Sequence, residues 1–158
     1  MVVKSFRGMM ASETQDTIHL ATNTGSTGYR ITKFEIMPEK SMLDYEITAK
    51  IYKIQQTIPL VAANEVDMSD NTLLAAAFTG LAAGEYAGAK TVIFDNEVFN
   101  QDIYIQCQDN GGSTQNVNYY IELEQIKLDL NENTVATLKD IRNIEGQPFS
   151  STPWNNII

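Results

Sequence analysis

A chain of 158 residues, 43% of them hydrophobic, is one domain of ordinary size, long enough to enclose a single core. Its 20 Asp and Glu outnumber 11 Lys and Arg, for a formal charge of −9, so the cationic face that nucleic-acid phosphates or anionic membrane surfaces require is not expected. Cys107 is the single cysteine, which rules out an internal disulfide, and no apolar run approaches the ~20 residues that span a bilayer.

Residues 1–16 carry no continuous apolar stretch of signal-peptide length and read as an ordered arm or a first strand. Residues 17–21 read as a short strand, and residues 22–28, with Gly25 and Gly28, as a polar turn region. The next strand covers 29–37. Tyr29 and Ile31 have odd parity and Phe34 and Ile36 even parity, so a β-bulge is expected near Thr32 and Lys33. Pro38 ends it, because proline cannot donate to a ladder. Residues 45–53 alternate cleanly: Tyr45, Ile47, Ala49 and Ile51 point one way, and Glu46, Thr48, Lys50 and Tyr52 the other.

Residues 54–64 are mixed, with Pro59 marking an edge or loop. Residues 68–78 change character. Ser69 or Asp70 can cap the free amides of a helix, the run Leu73, Leu74, Ala75, Ala76, Ala77 has good helix propensity, and Gly80 and Gly84 close it. A short helix is expected there, followed by a small-residue loop at 83–88. Residues 91–94 and 103–107 read as strands, with Cys107 a small core residue on the parity of Ile103 and Ile105. Asp109, Asn110, Gly111 and Gly112 tolerate positive φ and suggest a turn joining that strand to the next as an antiparallel hairpin.

The long strand at 117–130 is the strongest β signal in the chain. Tyr119, Ile121 and Leu123 share odd parity, whereas Ile126, Leu128 and Leu130 are even, so a second bulge is expected at Glu124 and Gln125. Residues 131–143 then break the β pattern. Asn131 suits an N-cap, Glu132 the positive end of a helix dipole, and Val135, Leu138 and Ile141 recur at a spacing of three. Three helical turns are expected, with a strand as competitor because Thr134, Val135, Thr137 and Ile141 are β-branched. The tail, 146–158, is too apolar for a solvated linker. It either folds back on its own domain or docks as an arm on a neighbouring subunit.

Together these elements predict a mainly β protein, an antiparallel β-sandwich of Greek-key or jelly-roll type with two short helices. The expected organisation is an N-terminal arm at 1–16, the sandwich at 17–145 and a C-terminal arm at 146–158.

Chemistry is sparse. His19 lies between Ile18 and Leu20 and is expected to face away from the core, so a Cys–His nucleophile pair with Cys107 is not expected. Zinc sites want three or four Cys and His ligands and the chain has two such residues, so zinc is not expected. Asp95, Asn96, Glu97 and Asp102, and separately Asp129 with Glu132, read as turn and cap chemistry, the first group being also the best available calcium candidates. The glycines precede strands rather than helices, so no phosphate cradle is expected. No catalytic residue, metal site or cofactor is assigned. Outward tyrosines (Tyr52, Tyr104 and Tyr120) could line a sugar-binding groove, or else cover a sheet face or a subunit contact.

Three stretches carry a family resemblance: residues 66–77 (VDMSDNTLLAAA), residues 92–104 (VIFDNEVFNQDIY), and residues 118–123 (NYYIEL) running into 134–143 (TVATLKDIRN). Over roughly the second half of the chain, the sequence resembles small virion structural proteins of marine tailed bacteriophages, of the cyanophage kind. That resemblance implies a non-enzymatic protein present in many copies on a virion assembled in the host cytoplasm. The leading expectation is a capsid decoration or cement protein on the outside of a head, partnered by the major capsid protein or another virion protein. Phe149, Trp154, Ile157 and Ile158 are the expected partner-binding anchors. The alternative is a tail or fibre component with a carbohydrate- or receptor-binding role. Neither reading involves nucleic acid or a membrane.

Overall fold

The computed structural model describes residues 2–20, 26–94, 97–112 and 114–128. Within them the chain is mainly β. Eight strands run in the order β1 (Val2–Met10), β2 (Thr14–Ile18), β3 (Thr27–Pro38), β4 (Tyr45–Tyr52), β5 (Leu73–Ala82), β6 (Glu85–Ile93), β7 (Ile103–Asp109) and β8 (Val117–Lys127). They form two antiparallel sheets, β1-β8-β3 and β2-β7-β4-β5-β6.

Period-two alternation decides which side chains are enclosed. In the smaller sheet the inner row includes Phe6, Met10, Ile31, Phe34, Ile121 and Leu123; in the larger it includes Ile18, Ile47, Ala49, Ile51, Ala75, Ala77, Ile103, Ile105 and Cys107. These side chains make one continuous hydrophobic cluster, and β3 lies against β4, β5 and β6 while β1 lies against β2. Of the N-terminal stretch expected as an ordered arm or a first strand, Val2–Met10 form the edge strand β1, and β2 begins at Thr14. Two backbone bonds, Tyr29 N–H to Phe99 O (2.7 Å) and Phe99 N–H to Tyr29 O (3.0 Å), stitch β3 to the approach to β7.

Several sequence expectations need correction. The helix expected at 68–78 is absent; Leu73–Ala82 is strand β5. Asp70 does bind backbone, but its carboxylate accepts from Thr72 N–H (2.8 Å) and Thr72 Oγ1–H (2.7 Å), and Asp67 accepts from Ser69 N–H (3.0 Å). Such side-chain bonds to a backbone amide two residues on shape a turn as readily as a helix start. The apolar run that follows is a strand buried on both faces, which has no alternation to display. The second expected helix, at 131–143, lies outside the described residues.

The hairpin expected across 109–112 is also absent. β7 belongs to the larger sheet and β8 to the smaller, so the chain crosses between sheets there. The real hairpin is β5–β6, closed by Ala83 and Gly84, both at positive φ (53° and 77°). That geometry is a two-residue turn of the mirror-image kind that suits the twist of paired strands. The bulge at Glu124 and Gln125 is not found either, because β1 and β3 both pair with β8 there in unbroken register. The irregularity lies in β3 instead, between Ile31 and Lys33, where the parity change predicts it. Ile126 consequently belongs to the outer face with Glu124, not to the core.

Candidate functional site

Two regions hold side chains that could meet a partner. The first is the outer face of the smaller sheet. On β8, Asn118, Tyr120, Glu122 and Glu124 point outward. They lie opposite Met9, Arg7, Ser5 and Val3 of β1 and opposite Met37, Glu35, Lys33 and Arg30 of β3. One end of this face is charged. Arg30 pairs with Glu124, and Lys33 Nζ sits 3.7 Å from Glu35, 3.9 Å from Glu122 and 6.0 Å from the Tyr120 ring centre. The other end is a groove of about 400 Å³ whose walls include Arg7, Glu35, Met37, Asn118 and Tyr120. Met9 and Met37 are 51% and 60% exposed beside it. The groove owes its shape to the sheet register, which places long side chains of both outer strands around the central Tyr120.

The second region is a polar niche on the outer face of the larger sheet. Residues 53–72 link β4 to β5 without regular structure and cover that face. Gln56 N–H donates to Gln15 Oε1 (2.9 Å) while Gln15 Nε2 donates back to Gln56 O (3.2 Å), which ties the loop to β2. Lys50 is buried beneath the loop, donating through Nζ to Ala62 O at 3.3 Å and to Glu65 O. Its ammonium stands 5.6 Å from the Tyr52 ring centre. Burial lowers the Lys50 pKa from its usual 10.5, an effect larger than the opposing attraction of Glu65 and Asp70. Burial also raises the Tyr52 phenol, helped by the Asp70 and Asp67 charges and opposed by a hydrogen bond with Gln106.

The chain matches no protein-family model and no curated protein.

The structure does not gather the sequence candidates into one place. Tyr52 and Tyr104 are cross-strand neighbours on the larger sheet, whereas Tyr120 belongs to the outer face of the smaller one. A single groove lined by all three is therefore excluded, and Tyr52 is buried besides. Cys107 is fully buried with its thiol 3.4 Å from Ala11 O, while His19 is exposed and contacts Asp102 Oδ2 at 3.3 Å, so the two do not form a nucleophile pair. Asp102 accepts from Leu20 N–H (2.7 Å), and Glu97 pairs with Lys53 (3.5 Å); these two acids have separate structural duties. Among the described residues no three His, Cys, Asp or Glu side chains converge to hold a metal. Asp95, Asn96, Asp129, Glu132, Phe149, Trp154, Ile157 and Ile158 lie outside the described residues.

Sequence reasoning missed Lys50, Gln106 and Asp109. Lys50 falls on the outward parity of β4, which ordinarily means solvent. The available signal was the length of the stretch after it: 20 residues without periodicity in a compact domain must lie across something.

Proposed function

We propose that this chain is a non-enzymatic virion structural protein, a capsid decoration or cement protein that binds the outside of a phage head and stabilises it. Its two sheets form a β-sandwich of jelly-roll or Greek-key type. The observation that carries the reading is the outer face of the smaller sheet, where the groove, with Met9 and Met37 exposed and Tyr120 half-buried, lies at one end and alternating charges at the other. An apolar patch bordered by paired charges is what a protein-binding face needs: anchors that lose water on contact, and a polar rim that sets register. The family resemblance of the second half of the chain supplies the virion context.

The partner is the major capsid protein or another virion protein. Many copies on one particle turn weak single contacts into a durable coat, because each repeated interface adds to the avidity of the lattice. The acidic charge keeps free copies apart before assembly. Phe149, Trp154, Ile157 and Ile158 act as additional apolar anchors from the C-terminal arm.

Deleting residues 146–158 tests the arm. The expected result is a chain with the same β circular dichroism and reduced occupancy on particles; full occupancy removes the arm from the mechanism. Met37→Asp tests the groove, with affinity for heads expected to fall about tenfold, as for a typical anchor residue.

A further inference from the structure

The two sheets leave four edges, β1 and β3 on the smaller, β2 and β6 on the larger. An open edge is a row of backbone donors and acceptors ready to receive another strand. Three of the four are guarded. β1 carries Lys4 and Arg7 and no acid, so it offers a copy of itself only like charges. β2 has five residues and is tied through Gln15 to Gln56. β3 is bulged between Ile31 and Lys33 and bonded at Tyr29 to Phe99. β6 differs: six of its nine residues are exposed, and no backbone hydrogen bond among the described residues reaches its free side.

The faces of β6 follow from its register with β5. Leu81 of β5 packs against the core, and Tyr86 opposite it shares that inner side, as does Ala89 opposite Thr79. Glu85 opposite Ala82 and Lys90 opposite Phe78 lie on the outer side. Alternation with period two would split residues five apart between the faces. The irregularity between Gly80 and Leu81, which leaves Ala87 as the extra residue, returns Glu85 and Lys90 to one face. Neither joins an ion pair among the described residues. An antiparallel copy of β6, set about a two-fold axis between Ala87 and Gly88, brings Glu85 opposite Lys90 of the second copy and Lys90 opposite its Glu85. On the inner side Tyr86, 62% exposed in the single chain, then lies over the small Ala89 of the second copy. The edge is therefore complementary to itself in charge, in face and in bulk.

We propose that two copies of this chain pair through β6, antiparallel about Ala87 and Gly88, and so join two five-stranded sheets into one continuous sheet. Main-chain bonds supply the attraction, and the two Glu85–Lys90 pairs set the register. Two-fold symmetry closes the contact at a dimer, since each copy uses up its β6 edge. β6 belongs to the opposite sheet from the groove proposed to meet the head, so the pairing does not depend on that reading.

Sedimentation equilibrium of the full-length chain, over a concentration series reaching about 1 mM, reads the pairing. A dissociation constant on the order of 100 µM is expected, because so short an edge buries less than a standard interface. Lys90→Glu and Glu85→Lys, both at exposed positions, each turn two attractions into two repulsions and are expected to weaken the dimer about tenfold. Combining Glu85→Lys with Lys90→Glu in one chain is expected to restore it. An equimolar mixture of the two single variants is expected to pair as the unsubstituted chain does, because each supplies the charge the other lacks. A monomer at every concentration overturns the proposal. So does a dimer indifferent to the single changes, or one that neither the double change nor the mixture restores; the free edge of β6 then takes a different occupant or none.

Discussion

Cys107 and Asp109 show how single side chains govern this fold. Burial, reinforced by the charges of Asp16 and Asp109, pushes the Cys107 thiol up from 9.0 to about 12. The folded chain therefore keeps a proton that the unfolded chain gives up. Stability from this group is complete below pH 9 and is lost as pH rises towards 12, by roughly 4 kcal/mol in total. Tyr119, pushed up to about 12 by burial and by Asp16, acts in the same direction. Lys50 acts in the opposite one, because its lowered pKa makes deprotonation relieve the cost of burial below pH 10.5. Chemical denaturation at a series of pH values is expected to show a falling alkaline limb, flatter in Cys107→Ala. An equally steep limb in that variant removes the thiol from the account. The same thiol is expected to resist alkylation until the protein unfolds.

Asp109 is 4% exposed and accepts three backbone amides, Glu46 N–H (2.9 Å), Gly111 N–H (2.8 Å) and Gln115 N–H (2.7 Å). It fixes the crossing between the sheets. Asp109→Ala is expected to cost roughly 3–5 kcal/mol, since it strands several buried donors at once. Gly111→Ala is expected to be comparably damaging, because a Cβ there would come within 2.5 Å of the Tyr45 Cα, a backbone atom that cannot rotate away. Urea unfolding of both variants measures this.

At the scale of elements, the β5–β6 hairpin carries the clearest test. Ala83 adopts φ 53°, a left-handed conformation that costs an ordinary residue about 1 kcal/mol. Asparagine tolerates it better and is favoured before glycine in such turns. Ala83→Asn is expected to raise stability by about 0.5–1 kcal/mol, seen as a higher melting temperature. A drop would contradict the turn assignment. This hairpin also marks the limit of what the sequence discloses. β4 and the odd positions of β8 are legible because one face is apolar and the other polar. The bulge at Ile31–Lys33 is legible because parity changes within one strand. β5 is not, since a strand covered on both sides shows neither alternation nor polar breaks, and alanines leave the helical reading open. The 109–112 crossing misleads for a similar reason: its glycines mark a reversal of chain direction but carry no information about which sheet receives the next strand.

At the scale of the molecule, β8 sits between β1 and β3, two strands from the opposite end of the described chain, so the smaller sheet closes only when its last strand arrives. Its outer face is built by that closure. The groove at Arg7, Met37 and Tyr120 therefore exists only in the completed fold. A face built from two strands near the start of the chain and one beyond residue 116 has no local motif, which is why the candidate surface could not be found in advance while the outward positions of β8 could. The anchors proposed within residues 146–158 come from composition alone, and the 146–158 deletion tests them separately from the groove.

The most direct measurement of the proposed coat role is a cryo-electron reconstruction of particles purified from the source whose genome encodes this chain. The account predicts repeated density on the outer surface of the head that fits the two-sheet slab, with the β1-β8-β3 face turned towards the capsid lattice. Particles that lack the protein, or density that meets the capsid only through the 53–72 loop and leaves the smaller sheet exposed, would contradict it.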